Sequence, residues 1–243
     1  MHRFFADESQ FTEDKVTITG DDVKHITKVL RLKSGDSISV CNKNKIDYTC
    51  VVSEIGKDFV VADIADKTAN TNESNLDVTL YQGFPKGDKL DLIIQKAVEL
   101  GVNKIVPVIM KRTVVKVKND PSRQLRRQRI AEEAAKQCMR GIVPVVSEPI
   151  SFDRMLSSIC EDDLTILPYE NEHSNKLKTL LADNKGARKV NIIIGPEGGF
   201  EDSEIESALQ NGIHTVTLGP RIMRCETAPL AAISAVMYEM GDW

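Results

Sequence analysis

Asn191-Ile192-Ile193-Ile194-Gly195-Pro196-Glu197-Gly198-Gly199-Phe200-Glu201-Asp202-Ser203-Glu204 is the stretch on which the fold class turns. A branched apolar run of strand type stops at a glycine-rich turn, and a helix start follows, with Asp202 or Ser203 placed to cap it. The join leaves backbone amides free for a ligand, and its glycines allow close approach or positive φ. Leu218-Gly219-Pro220-Arg221-Ile222-Met223-Arg224-Cys225-Glu226-Thr227 is a second turn of the same character, twenty-odd residues on. Two loops at strand ends in one α/β segment imply a single ligand site. Neither is a spaced-glycine dinucleotide fingerprint or a phosphate loop, which argues against a nicotinamide oxidoreductase.

Working outward, strands and helices alternate from Leu76 to the end of the 243-residue chain. Strands are expected at Leu76–Tyr81, Lys104–Ile109, Val143–Val146, Leu164–Leu167, Ile192–Ile194 and Thr215–Leu218. Pro107 marks the second of these as bent or at an edge. Helices are expected over 88–100 with Asp88 as cap, over 123–140 with Gly141 as stop, and over 152–159, 176–181 and 228–240. In the 123–140 helix, Leu125, Ile130, Ala131, Ala134 and Cys138 are expected to face the core. This alternation predicts a mostly parallel sheet with its site loops after Leu167, Ile194 and Leu218.

Before that region the chain reads as β-rich, with strands at 16–19, 37–41, 46–52 and 58–64 and a helix through Leu30, which suggests a small barrel. The polar stretch from Ala65 to Asn75 reads as the linker. Two domains follow: residues 1–70 and residues 71–243.

Composition bounds the function. With 41% hydrophobic and 28% charged residues, the chain reads as an ordinary globular protein. It lacks a leader of signal type and any apolar run long enough to span a bilayer, so the expected compartment is the cytoplasm. Five cysteines without metal-type spacing and four scattered histidines predict neither a disulfide framework nor a metal site. Net charge is −4, yet Lys111 to Arg140 carries ten basic residues against three acidic ones. That asymmetry suits a phosphate-binding surface, or a solvated helix face.

The two carboxy-terminal motifs, Ile194 to Phe200 with Glu204 and Leu218 to Ala228, resemble those of the ribosomal RNA small subunit methyltransferase E family, within the trefoil-knotted SPOUT superfamily. The resemblance extends to Gln95-Lys96-Ala97-Val98-Glu99-Leu100-Gly101-Val102, to Glu133 through Arg140, and to His25 through Arg31. It implies an α/β SPOUT-type knotted methyltransferase domain preceded by a small PUA-like β-barrel, and S-adenosylmethionine as cofactor. The implied reaction is methylation of N3 of one uridine in 16S ribosomal RNA of the small subunit. It also implies a homodimer, with no membrane, metal or DNA partner. Rival readings are a related SPOUT enzyme acting on another ribosomal or transfer RNA nucleotide, and a non-catalytic RNA-binding or ribosome-assembly protein. Cys138 and Cys225 stand where relatives often carry Ser and Thr, and Met223 where Leu is common.

Candidate site residues come from the matched motifs, from the loop after Leu167 and from the basic stretches. Uridine N3 must lose a proton before or during attack, so a donor near O2 or O4 would stabilise the anion. Arg224 is the first candidate, the rival role being to lock its loop through Glu226 or Glu197. Arg140 is the second, with phosphate contact as its alternative. Glu197 would act as base, fix the cofactor amino group, or serve as a structural cap. Leu167, Tyr169, Gly195, Pro196, Gly198, Gly199, Leu218, Gly219, Ile222 and Thr227 would hold the cofactor. Arg3, His25, Lys28, Arg31, Lys86, Lys89, Arg123, Arg126, Arg127 and Arg129 would contact RNA.

Overall fold

Branched residues alternate with polar ones in the first seventy positions, and the alternation sets which faces are buried: in Lys15–Thr19 only Val16 and Ile18 are enclosed. The computed structural model describes residues 1–115 and 120–243, so Lys116 and Lys118 of the basic stretch lie outside the described residues. Two compact units are present, Met1–Glu73 with Ala135–Val143, and Ser74–Ala134 with Pro144–Trp243.

The first unit contains β1 (His2–Phe5), β2 (Lys15–Thr19), α1 (Asp21–Lys24), a π-helix over His25–Leu30, β3 (Ser37–Cys41), β4 (Ile46–Ile55) and β5 (Phe59–Ala69). Its five strands run in the order β1-β3-β4-β5-β2. All pairings are antiparallel except β1 with β3. Phe4, Val16, Ile18, Ile26, Ile38, Val40, Val52 and Val60 make its core. The expected linker is partly strand: Asp66 to Ala69 pair with Thr49 to Ile46 in β4. That outer half of the ribbon buries little on either face, so no apolar period announced it.

The second unit is organised on a parallel sheet of β6 (Asp77–Gly83), β7 (Lys104–Ile109), β8 (Val145–Val146), β10 (Leu164–Pro168), β11 (Lys189–Ile194) and β12 (His214–Val216), with β9 (Ile150–Ser151) beside β7. The strand order is β12-β10-β11-β6-β7-β8. Between the strands lie α2 (Lys89–Glu99), α3 (Pro121–Gln137), α4 (Phe152–Leu156), α5 (Leu177–Asp183), α6 (Asp202–Gln210) and, last, α7 (Ala228–Met240). Met155 of α4 and Ile205 and Ala208 of α6 pack with Tyr81, Val106, Leu167 and Ile193 of the strands. Helix α7 packs against β11, α2 and α5.

Pro107 is not at an edge. β7 pairs with β6 on one side, and its other neighbour is split: β8 pairs only as far as Ile105, and β9 resumes at Val108. The proline falls in that gap, where no ladder partner asks for its missing N–H.

Helix α3 corrects two expectations. Leu125 is 65% exposed, and the buried face starts with Ala131, Ala134 and Ala135. Gly141 is not the stop. Met139 adopts φ 63, its amide bonds to the Lys136 carbonyl at 3.4 Å, and the Arg140 amide reaches the Ala135 carbonyl at 3.0 Å. This is a Schellman turn with methionine in the left-handed position usually given to glycine.

Candidate active site

Four loops leave the carboxyl ends of neighbouring strands in the second unit: after β6, β10, β11 and β12. This is where an open parallel sheet offers a crevice to a ligand. The glycine turn lies close against the loop after β6. A Cβ on Gly83 would stand 2.4 Å from the Pro196 nitrogen, and one on Gly199, at φ 68, would meet the Glu170 carboxylate at 2.7 Å.

The turn is anchored behind by the segment following β7. Arg112 binds the Glu201 carboxylate at 2.5 Å and the Gly198 carbonyl at 3.2 Å. The Lys111 amide donates to Glu204 Oε1 at 2.9 Å, and the other Glu204 oxygen accepts from the Glu201 amide at 2.9 Å. Glu201 is therefore the N-cap of α6, in place of Asp202 or Ser203. The Ser203 hydroxyl instead accepts from the Lys111 ammonium at 2.7 Å.

In front, one ammonium joins the two motif loops. Lys89 Nζ lies 3.1 Å from Glu197 Oε1 and 3.1 Å from Glu226 Oε2. Glu197 Oε1 also accepts from the Lys86 amide at 3.1 Å. Cys225 Sγ donates to Glu226 Oε2 at 3.2 Å and itself lies 3.8 Å from Lys89 Nζ.

These contacts set the protonation states. Glu226 is held below the usual carboxylate range, chiefly by the Cys225 thiol and further by Lys89, against the effect of burial. Burial alone would raise Glu197. Hydrogen bonds from its own amide and the Lys86 amide, with the Lys89 ammonium, outweigh that and lower it. Lys89 is raised by Glu197 and then Glu226. Burial, with the Glu226 carboxylate beside it, pushes the Cys225 thiol up to about 12. At neutral pH the cluster holds a cation, two anions and a neutral thiol.

Two cavities of ≈ 380 Å³ each open beside this cluster. One is walled by the Thr217–Met223 loop with Tyr169 and His173; the other by Gly195 to Glu197, Gly199, Lys89 and Arg224 to Glu226. They share Pro168, Glu170, Ile222, Met223 and Ala228, so an elongated ligand can run from one into the other.

Most of the expected cofactor residues meet here. Tyr169, Leu218, Gly219 and Ile222 line the first cavity, and Gly195, Pro196, Glu197, Gly199, Ile222 and Arg224 line the second. Three do not line either one. Leu167 is fully buried in the core, Gly198 backs onto Arg112, and Thr227 is the N-cap of α7. Arg224 is exposed, and its guanidinium makes no ion pair among the described residues; the loop lock once offered to it is supplied by Lys89.

The basic residues divide sharply. Arg140, in the first unit, is 3% exposed and bound by both oxygens of Glu73 at 2.8 and 2.9 Å. Arg3, 7% exposed, is tied to Asp47 at 2.7 Å and to the Arg140 carbonyl at 2.6 Å, which removes it from any surface that could meet RNA. His25, Lys28 and Arg31 are exposed on and just after the π-helix. In the second unit Lys86 and Arg129 are exposed, Arg123 pairs with Asp120 at 3.3 Å and Arg126 with Asp91 at 2.6 Å. Arg127 is half-buried over the Phe84 ring, 5.0 Å from its centroid.

Sequence reasoning placed Lys89 among RNA contacts and missed its part in joining the loops. One signal was available: it follows the Asp88 cap directly, and a cation in the first turn opposes the helix dipole unless a carboxylate is near. Glu170, which borders both cavities, carried no such signal.

The chain matches a family model described as an RNA methyltransferase domain over residues 72–237 and one described as an RNA methyltransferase PUA domain over residues 18–65. It is 34% identical to ribosomal RNA small subunit methyltransferase E of Bacillus subtilis, over 98% of this chain and 97% of the relative. With the protein of the same name from Mesomycoplasma hyopneumoniae it shares 33% identity, over 95% and 96% of the two chains. A solved structure of ribosomal RNA small subunit methyltransferase E from Neisseria gonorrhoeae bound to S-adenosyl methionine superposes with a TM-score of 0.91, at 32% identity, covering 100% of this chain and 99% of that one. With this agreement over nearly the whole length, the chain belongs to the ribosomal RNA small subunit methyltransferase E family of RNA methyltransferases.

Proposed function

We propose that the chain is an S-adenosylmethionine-dependent methyltransferase that methylates N3 of one uridine in 16S ribosomal RNA. The observation that carries this reading is the convergence of the Gly195–Gly199 turn and the Leu218–Thr227 loop on two joined cavities. Their lining fits the cofactor. One cavity combines loop backbone and apolar side chains suited to a purine with Glu170, His173 and Arg221 at its border, whereas the other carries the Lys89, Glu197 and Glu226 groups suited to an amino acid and a sulfonium. Glycines at 195, 199 and 219 keep the walls free of side chains.

The cofactor supplies an activated methyl group, so the chain's own work is orientation and electrostatics. Arg224, with free donors at the second cavity, is assigned the uracil oxygens, where it stabilises the ring as N3 loses its proton. Glu197 is a poor base with its depressed pKa and its commitment to Lys86 and Lys89; it acts as an acceptor at the cavity wall. Arg123, Arg126, Arg127 and Arg129 of α3, with exposed Lys86, are proposed to grip RNA phosphates. Residues 1–70, with His25, Lys28 and Arg31 at their surface, are proposed as a PUA-like RNA-binding domain and residues 71–243 as the methyltransferase domain.

A homodimer working in the cytoplasm on the small subunit completes the reading. An apolar cavity of ≈ 540 Å³ bordered by Leu177, Leu218, Ala231 and Ala235, beside Tyr238 at 73% exposure, favours a second copy on this face. Among the described residues no helix is long and apolar enough to cross a membrane, and no cluster of metal-ligating side chains occurs.

The test is transfer of labelled methyl from S-adenosylmethionine to small ribosomal subunits and to protein-free RNA, followed by identification of the modified nucleotide. Label at uridine N3 in 16S RNA is the expected result. Label on another nucleotide, or none, would overturn the assignment.

A further inference from the structure

The ionised residues lining the second cavity are Lys89 and Arg224 against Glu170, Glu197 and Glu226, an excess of one negative charge. Its core is the three-residue cluster in which Lys89 Nζ stands 3.1 Å from each of two carboxylates. Without that ammonium, Glu197 and Glu226 would stand as like charges with no cation between them. Both are held below the ordinary carboxylate range, Glu226 chiefly by the Cys225 thiol and Glu197, against burial, by its own amide and the Lys86 amide, with Lys89 adding to each. Arg112 and Lys111 are engaged with Glu201, Gly198 and Ser203 behind the turn and do not line the cavity. The first cavity, bordered by Arg221, His173 and the shared Glu170, has no such excess.

Resting on the methyltransferase reading, we propose that the Lys89–Glu197–Glu226 cluster reads the charge of the bound cofactor, favouring the sulfonium donor over the neutral thioether left after methyl transfer. S-Adenosylmethionine carries one more positive charge than S-adenosylhomocysteine and is otherwise larger by a single methyl group. The unmatched carboxylate charge favours the first and loses its partner when the methyl leaves, which speeds exchange of product for fresh donor. A difference of one unit charge at the cavity wall is expected to change affinity by about tenfold. Lys89 is the positioning residue of this device, and Glu226 is its adjustable charge.

The experiment is calorimetric titration of the full-length chain at one pH and ionic strength with three ligands: S-adenosylmethionine, S-adenosylhomocysteine, and sinefungin, in which a protonated amine stands in place of the sulfonium. The wild type is expected to bind the two cationic ligands about tenfold more tightly than the thioether. Glu226→Gln keeps the shape and removes one charge; it should bring the three affinities within about twofold of one another while leaving the thioether little changed. Lys89→Met should widen the preference. Equal weakening of all three ligands by Glu226→Gln, or a preference narrowed by Lys89→Met, would assign the cluster a purely structural role and refute the inference. Equal affinities in the wild type would refute it too while leaving the methyltransferase reading intact, whereas failure to bind any of the three would remove that reading and this inference with it.

Discussion

Gly83→Ala is the sharpest test of how the cavities are built. A Cβ at this position would stand 2.4 Å from the Pro196 nitrogen, 2.6 Å from its Cδ and 2.7 Å from the Gly195 carbonyl carbon. The obstacles are main chain and a proline ring, so no side chain can swing aside. To move from 2.4 Å to the 3.4 Å where ordinary contact begins, the glycine turn must retreat by about 1 Å. Overpacking of this kind costs about 2 kcal/mol, which in a chain of this size lowers the melting temperature by about 4–8 °C. The same retreat displaces Glu197 from Lys89 and the Lys86 amide, and misplacement of ~1 Å at a binding wall can cost up to about 100-fold. Calorimetry with S-adenosylmethionine should accordingly record a loss of about 10- to 100-fold in affinity. The control is Gly186→Ala, whose added methyl would meet nothing within 4 Å. A Gly83→Ala protein that melts and binds like the control would refute the close approach of these two loops.

Other expectations follow from the same geometry. Arg224→Ala should lower the methyl-transfer rate by about 100-fold and leave cofactor affinity within about twofold, and unchanged turnover with saturating RNA would remove Arg224 from its assigned role. Replacing Arg126, Arg127 and Arg129 by Ala should reduce the salt slope of RNA binding by less than the ~2–3 units that three free phosphate contacts would give, because Arg126 is held by Asp91 and Arg127 by Phe84; an unchanged slope would reject the patch. In alkylation at pH 8, exposed Cys160 should label while Cys225, buried and pushed up to about 12, stays unmodified in a peptide mass map; rapid labelling of Cys225 would contradict the neutral thiol. Glu197 and Glu226 titrate below the ordinary 4.5 in the folded chain, so their stabilisation is complete above that pH and is lost as pH falls through their lower folded values. Thermal melts of Glu226→Gln should fall less steeply below about pH 4.5 than those of the parent, and parallel curves would deny the linkage.

What could be read from the sequence was what has a local signature. β7 and α7 match their expected bounds, and β11 meets its glycine turn where the isoleucine run ends, because apolar runs bounded by glycine are local patterns. β1 went unrecognised, since four residues at a terminus acquire strand character only by pairing with β3. The outer ribbon of β4 and β5 was mistaken for linker because strands that bury no core need no alternation. At the site, the glycine and Arg-Cys-Glu-Thr loops were legible as motifs. That Lys89 rather than Arg224 ties them together depends on a helix start more than a hundred residues earlier in the chain. Arg3 and Arg140 looked like surface cations and proved buried, since a sequence reports charge but not the acidic partners, Asp47 and Glu73, that make burial affordable.

The parallel sheet of the second unit has a further consequence at its margins. On one flank the outermost strands are the two-residue stubs β8 and β9, interrupted opposite Pro107; on the other stands the three-residue β12, followed by a single bridge between Lys176 and Thr217. Among the described residues, neither margin of this sheet offers a run of unpaired amides and carbonyls long enough to template a strand from another molecule.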